Sequence, residues 1–125
     1  DPDPKDVVRR LIDEVMNSGD LTALEELYAP RLAPAARGWV EPFLASFSDV
    51  RMRIVELVAE GETVVGRFAC SGTHTGEWLG HPPTGGRFTD VAEVYLVRVV
   101  DERIVRAWGL EDTADRLRQL GLNLT

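Results

Sequence analysis

The spacing of apolar residues changes near Val50, and this change constrains the fold more than any other feature of the sequence. Before Val50, apolar residues recur three or four positions apart, which is typical of amphipathic helices. After Val50 they alternate with polar residues, which is typical of strands with one buried face. Helices followed by strands predict an α+β fold, with one antiparallel sheet packed over helices.

Two helices are predicted at the start of the chain by their terminal residues. Asp3 followed by Pro4 is a typical N-cap and first helical residue, and Gly19 is a typical terminator. Asp20 then caps a second, shorter helix, which Pro30 closes.

A third helix is predicted before the strands and a fourth after them. Pro42 is compatible with the third helix only if that helix begins near Val40, so residues 30–38 are expected to be irregular. Asp112 is the expected N-cap of the last helix, and Gly121 is its expected end.

Four strands are predicted in two hairpins, over residues 50–59, 63–70, 87–100 and 103–110. In the second hairpin Asp101 and Glu102 form a two-residue turn, so that Val100 pairs with Arg103. If the pairing continues without interruption, it fixes which side chains share a face.

This register brings several polar and aromatic side chains to one face of the sheet. Tyr95 is expected opposite Trp108, and Glu93 opposite Leu110. Asp112, just beyond the strand, would continue the face of Glu93. Two carboxylates, a phenol and an indole on one face would form an apolar pocket suited to acid/base chemistry.

Each of these residues also has a structural interpretation. Asp112 is well placed to act only as a helix cap. One β-bulge would turn Glu93 to the opposite face. Tyr95 and Trp108 are fully explained as a cross-strand aromatic pair in the core. The sequence leaves both interpretations open.

Composition limits the classes of partner. The net charge of −7 disfavours nucleic acid and anionic membranes, and no apolar run approaches the length of a membrane span. The single cysteine, Cys70, excludes an internal disulfide and favours a soluble, cytoplasmic protein. His74 and His81 have no acid or cysteine at ligand spacing, and there is no phosphate-binding loop, so no metal or cofactor is expected.

Four segments carry a resemblance to a known family. The first two are "LIDEVMNSGDLTALEELYAP", residues 11–30, which ends in the motif Tyr-Ala-Pro, and "FSDVRMRIVELVAEGETVVGRF", residues 47–68. The other two are "GTHTGEWLGHPPTGGRF", residues 72–88, and "EVYLVRVVDERIVRAWGLEDTADRLRQLG", residues 93–121, which contains the motif Trp-x-x-x-Asp. Together they resemble the SnoaL-like polyketide cyclases, also called ester cyclases, of the nuclear-transport-factor-like superfamily. The resemblance spans nearly the whole chain, so a single domain over residues 1–125 is expected.

The resemblance implies a strongly curved antiparallel sheet that forms a cone-shaped pocket, closed by the N-terminal helices and followed by a short C-terminal helix. It implies a homodimer through the outer sheet face, where Val94, Leu96 and Ala107 would form an apolar patch. The ligand would be a small hydrophobic, polyketide-like molecule. The implied reaction is an intramolecular aldol closure that uses an aspartate and no metal or cofactor.

On this resemblance the aspartate is Asp112, and the loop at residues 72–86 is a pocket rim. Tyr95 and His74 would donate hydrogen bonds to an enolate oxygen, with Glu93 as a neighbouring carboxylate. The expected substrate contacts are Trp39, Phe43, Phe68, Trp78, Trp108 and Leu110.

A second class of function is also compatible with the sequence. Residues 31–39 contain neither the acid nor the histidine that family members carry after the Tyr-Ala-Pro motif, and Tyr95 occupies a position that is often an acid or histidine. The chain could therefore bind a small molecule without turning it over. Epoxide hydrolysis, isomerisation and hydroxylation also occur on related folds.

Overall fold

The computed structural model describes residues 2–123 and has four α-helices and four strands in that range. The helices are α1 (Pro4–Arg10), α2 (Leu21–Leu27), α3 (Ala33–Ser46) and α4 (Thr113–Gln119), and α1 continues into a π-helical segment, Leu11–Met16. The strands are β1 (Arg51–Glu60), β2 (Thr63–Thr73), β3 (Arg87–Val100) and β4 (Arg103–Glu111). They form one open antiparallel sheet in the order β1-β2-β3-β4, which confirms the α+β prediction.

The predicted starts of the first two helices are confirmed. The carboxylate of Asp3 accepts the Lys5 N–H at 3.0 Å, and that of Asp20 accepts the Thr22 N–H at 3.0 Å. These bonds satisfy backbone donors that have no partner within a helix. Gly19 separates the two helices with a φ of 70°, in the left-handed region that favours glycine.

The predicted start of the third helix is wrong. α3 begins at Ala33, seven positions before Val40, and Pro42 lies inside it. Pro34 occupies the first turn of α3, where its missing N–H needs no partner, so it favours this earlier start. The longer helix carries Trp39 on its second turn.

The turn of the second hairpin is confirmed, but the register beyond it is not. Val100 pairs with Arg103 as predicted. A β-bulge then falls between Arg98 and Val99, where the Val99 N–H donates to the backbone oxygen of Glu62 at 2.8 Å. From this point the pairing is displaced by one residue.

The displacement changes which aromatic side chains share a face. Tyr95 lies opposite Gly109, and Trp108 lies opposite Leu96. Because side chains alternate along a strand, Trp108 is on the other face from Tyr95. The predicted pair of Tyr95 and Trp108 is therefore wrong.

The same displacement changes the carboxylate pair. Glu93 lies opposite Glu111 rather than Leu110. Ala107 lies opposite Val97, a buried residue of the inner face, so its predicted place in an outer patch is also wrong.

The core lies between the helices and the inner face of the sheet. It contains Leu11, Ile12 and Val15 from the first helix, together with Phe47, Phe68 and Phe88. Two charged side chains, Glu93 and Arg116, are buried in it. No helix within residues 2–123 is long and apolar enough to cross a bilayer. Asp1, Leu124 and Thr125 of the expected domain 1–125 lie outside the described residues.

Candidate functional site

The loop that connects the two hairpins is fastened to the C-terminal end of α3. The His74 N–H donates to the Gly86 oxygen at 2.8 Å, which closes the base of the loop. The N–H groups of Thr75 and Gly76 both donate to the Ser46 oxygen at 3.0 Å. A Cβ at Gly76 would collide with the helix backbone, so glycine permits this close approach. The loop therefore has a fixed position beside α3.

Arg116 of α4 reaches into the core and joins two carboxylates. Its Nη2 lies 2.7 Å from Glu93 Oε2, and its Nη1 lies 2.6 Å from Glu111 Oε1. Among the described residues its Nε has no hydrogen-bond partner. Four aromatic rings surround the guanidinium, with centroids 4.7–5.8 Å from Cζ, and these belong to Phe43, Phe47, Trp78 and Phe88. Cation–π contact and two ion pairs together compensate the burial of this charge.

Tyr95 completes this group of polar side chains on the inner face. Its hydroxyl donates to Glu93 Oε1, so both oxygens of Glu93 are bonded. A Cβ at Gly109 would lie 2.6 Å from the Tyr95 ring, so the glycine opposite lets this ring lie close to β4. The Trp39 ring packs on the Tyr95 ring at a centroid distance of 6.1 Å. We call Glu93, Tyr95, Glu111 and Arg116 the polar network.

Burial and charge act in opposite directions on the polar network. Burial raises the pKa of Glu93, although the hydrogen bond from Tyr95 and the charge of Arg116 oppose this. Burial, followed by the charge of Glu93, raises the pKa of Tyr95 well above its ordinary value. Burial would lower the pKa of Arg116, but the two carboxylates outweigh it and raise the pKa. Arg116 therefore keeps its charge.

Two open cavities border the polar network. The β4 cavity, of about 320 Å³, is lined by Leu11, Tyr28, Trp39, Tyr95, Val97, Ala107, Trp108, Gly109, Leu110 and Glu111. The loop cavity, of about 620 Å³, is lined by Trp39, Pro42, Phe43, Ala45, Ser46, Gly76, Glu77, Trp78, Leu79 and Glu111. Trp39 and Glu111 border both cavities. A mainly apolar lining with a few polar groups is typical of small-molecule sites.

Glu111 is the more accessible of the two carboxylates in the polar network. Its side chain is 34% exposed, whereas that of Glu93 is 1% exposed. Glu111 Oε1 accepts a hydrogen bond from Arg116 Nη1. Among the described residues, Glu111 Oε2 has no hydrogen-bond partner. A ligand in either cavity can therefore reach one oxygen of this carboxylate.

Asp112 lies apart from this group. Its carboxylate accepts the Asp115 N–H at 3.0 Å, which makes it the N-cap of α4 as the sequence predicts. It is exposed and is not among the residues that line the two cavities. Glu93 is buried, so it and Asp112 do not share either cavity.

His74 is fully buried within the loop rather than at its surface. Its Nδ1 accepts the Thr84 N–H at 3.2 Å, and its ring packs against Phe47 with centroids 5.6 Å apart. Nε2 has no hydrogen-bond partner within residues 2–123, and the residue lines neither cavity.

The expected substrate contacts fall into three groups. Trp39, Phe43 and Trp78 line the loop cavity. Phe68 is buried beneath Tyr95, at a ring distance of 5.1 Å. Trp108 and Leu110 are largely exposed on the outer face, because the bulge turns them outward, and they border the β4 cavity at the free edge of β4.

Sequence reasoning missed Glu111 and Arg116. Glu111 was missed because the unbroken register placed Leu110 opposite Glu93. A signal for Arg116 was present, because it precedes Leu117 by one position and Leu120 by four, which puts it on the inward stripe of α4. An arginine on an apolar stripe indicates a buried partner of opposite charge.

A model of the SnoaL-like polyketide cyclase family matches residues 6–120, so the chain belongs to that family and the resemblance is confirmed. The chain is 30% identical over 116 residues to the aklanonic acid methyl ester cyclase DauD of Streptomyces sp. (strain C5), which covers 93% of this chain and 70% of DauD. It is 32% identical over 108 residues to the aklanonic acid methyl ester cyclase DnrD of Streptomyces peucetius, covering 86% and 72%. Wild-type IdmH of Streptomyces antibioticus superposes with a TM-score of 0.85 at 31% identity, covering 97% of this chain and all of IdmH.

Within residues 2–123, no three His, Cys, Asp or Glu side chains lie close enough together to hold a metal ion. The expectation of a reaction without metal or cofactor stays a prediction.

Proposed function

We propose that the protein closes a ring in a polyketide ester by acid/base catalysis in the cleft formed by the two cavities. The observation that carries this proposal is a carboxylate, Glu111, partly exposed at the junction of two largely apolar cavities in a member of a cyclase family. The relatives that are named as cyclases of aklanonic acid methyl ester indicate the substrate class, a flat aromatic polyketide methyl ester.

The proposed reaction is an internal aldol addition. A carboxylate takes a proton from a carbon that lies between carbonyl groups, and the C–H electron pair becomes an enolate. The enolate carbon bonds to a ketone carbon of the same molecule, and the π pair of that ketone moves to its oxygen. The carboxylic acid returns the proton to this oxygen, which becomes a hydroxyl group. No electrons are gained or lost, and one positioned acid/base contributes about 100- to 10,000-fold in rate.

The surrounding residues supply binding and water exclusion. Trp39, Phe43 and Trp78 offer aromatic surface to a flat substrate, and Trp39 contacts both cavities. We propose that Tyr95 contributes ring surface at the β4 cavity rather than a hydrogen bond to the substrate, because its single hydroxyl proton is donated to Glu93. The family resemblance assigns the proton transfer to Asp112, whereas the cavities contain its neighbour Glu111, and these two assignments can be separated by experiment.

A second function, binding without turnover, is favoured by one observation. Residues 31–39 have neither acid nor histidine, and part of this segment forms the first turns of α3. The acid or histidine that the family resemblance implies for this segment therefore has no counterpart there.

The two functions predict different results with one substrate. Purified protein is mixed with aklanonic acid methyl ester, and the mixture is followed by liquid chromatography and mass spectrometry. Cyclase activity requires an isomer of unchanged mass that forms faster than in buffer. Saturable quenching of tryptophan fluorescence without this isomer would support the binding function instead. Dialysis against a chelator before the assay should leave the rate unchanged if no metal takes part.

We also propose that the protein is a cytoplasmic homodimer. The dimer would form through the outer face of the sheet, where exposed apolar residues remain on β1, β2 and β4 and half-buried ones on β3.

A further inference from the structure

We propose that Glu111 is the residue that transfers the proton, and that Arg116 is its positioning residue, whereas Asp112 serves only as a helix cap. This inference rests on the proposed function and names the group that performs its chemistry. It differs from the assignment that the family resemblance implies.

The first argument is access. A general base must come within hydrogen-bond distance of the proton that it removes. Glu111 borders both cavities and has Oε2 free of the described hydrogen bonds. Asp112 borders neither cavity, and its Oδ1 is engaged by the Asp115 N–H. Glu93 is excluded because Arg116 and Tyr95 occupy both of its oxygens and its side chain is buried.

The second argument is orientation. The guanidinium of Arg116 is held by Glu93 on one side and by the four aromatic rings around it. Its Nη1 fixes Glu111 Oε1 at 2.6 Å, so the carboxylate cannot rotate freely in the cleft. A side chain held by a packed partner keeps the narrow geometry that proton transfer requires.

The decisive experiment compares Glu111→Gln with Asp112→Asn in the cyclisation assay. Glutamine retains an oxygen for Arg116 but cannot accept the proton, so we expect kcat to fall by about 100-fold or more. Its Kd for the substrate, from fluorescence quenching, should stay within about threefold because the cleft keeps its shape. Asparagine is a good N-cap, so Asp112→Asn should keep both kcat and Tm close to those of the wild type.

Arg116 is tested by Arg116→Lys, with Arg118→Lys as the matched control on the exposed side of the same helix. A lysine keeps the positive charge but has no second nitrogen, so it cannot hold Glu93 and Glu111 in the same geometry. The pH at which kcat declines on the acidic side of its profile should therefore shift. The KM should change less than kcat, and Arg118→Lys should leave the profile unchanged. If Arg116→Lys does not fold, Glu111→Asp replaces it, because the shorter side chain withdraws the carboxylate and should lower kcat more than KM.

Each outcome decides the assignment. Loss of turnover in Asp112→Asn together with near wild-type turnover in Glu111→Gln would overturn the assignment to Glu111 and identify Asp112 as the proton-transfer residue. The proposed function would stand in that case. A fall in kcat that Glu111→Gln and Asp112→Asn share equally would also overturn the assignment to Glu111. Wild-type protein that binds the substrate but forms no cyclised isomer would remove the proposed function and the assignment with it.

Discussion

Arg116 carries a full charge at a fully buried position, where two carboxylates and four aromatic rings surround it. Arg116→Met would preserve most of the side-chain volume but leave Glu93 buried without a cation. Removing one partner of a buried ion pair costs about 3–5 kcal/mol. We therefore expect the free energy of unfolding, measured by urea denaturation, to fall by about that amount.

Arg118→Met is the control for this prediction, because Arg118 lies on the same helix with a side chain that is 74% exposed. Its ion pair with Asp115 is at the surface, so its removal should change the unfolding free energy by less than about 1 kcal/mol. Equal losses in the two variants would mean that the buried pair does not stabilise the fold.

Glu93 should give the protein a specific pH dependence. Its pKa is raised in the native state by burial, so the native state holds this proton more tightly than the unfolded state does. The stability that the proton contributes is complete below the unfolded pKa, about 4.3. It is lost as the pH rises through the raised native value.

We therefore expect wild-type protein to lose stability relative to Glu93→Gln as the pH rises above about 4.3. Urea denaturation of both proteins at several pH values up to 7 measures this difference. A difference in unfolding free energy that stays constant over the range would contradict the raised pKa.

At the scale of single residues, the sequence predicted part of the candidate site. Glu93 and Tyr95 share the inner face as expected, because alternation along β3 does not depend on its neighbours. Glu111 could not be identified, because its face depends on the bulge at Arg98 and Val99. That bulge involves a contact with Glu62, which belongs to the other hairpin.

At the scale of elements, the sequence predicted the helix ends that are set by residues close together in the chain. The caps of α1, α2 and α4 depend on neighbouring residues and were predicted. The start of α3 was not, because the two prolines give opposite signals: Pro42 disfavours a helix that contains it, whereas Pro34 favours a helix start near Ala33.

The cap of α4 gives a prediction at this scale. Asp112→Ala removes the acceptor for the Asp115 N–H and should lower the free energy of unfolding by about 1 kcal/mol. Asp112→Asn should restore most of that loss because asparagine also accepts this bond. Thermal denaturation of the two variants measures the difference. If alanine and asparagine are equally stable, the cap does not hold α4.

For the whole molecule, the order of helices and strands was predictable because the period of apolar residues changes once, near Val50. The class of fold follows from that order. The cone-shaped pocket and the homodimer remain proposals, since they concern sheet curvature and a second chain.

The outer face of the sheet has an apolar row that crosses all four strands. Val58 pairs with Val65, Val65 with Leu96, and Leu96 with Trp108. Val58 and Trp108 are 57% and 55% exposed. An exposed apolar surface of this kind is typical of an interface between proteins.

We expect two copies of the chain to pack these rows against each other, because an isologous interface places the same patch on both partners. A stable interface buries about 1,600 Å² in total, and a charge at its centre would be left without water or a partner. Val65→Asp should therefore convert the dimer to a monomer in analytical ultracentrifugation at micromolar concentration. Leu79→Asp, which places the same charge on an exposed apolar residue of the connecting loop, should leave the dimer intact. Wild-type protein that sediments as a monomer, or a Val65→Asp variant that stays dimeric, would exclude this face as the interface.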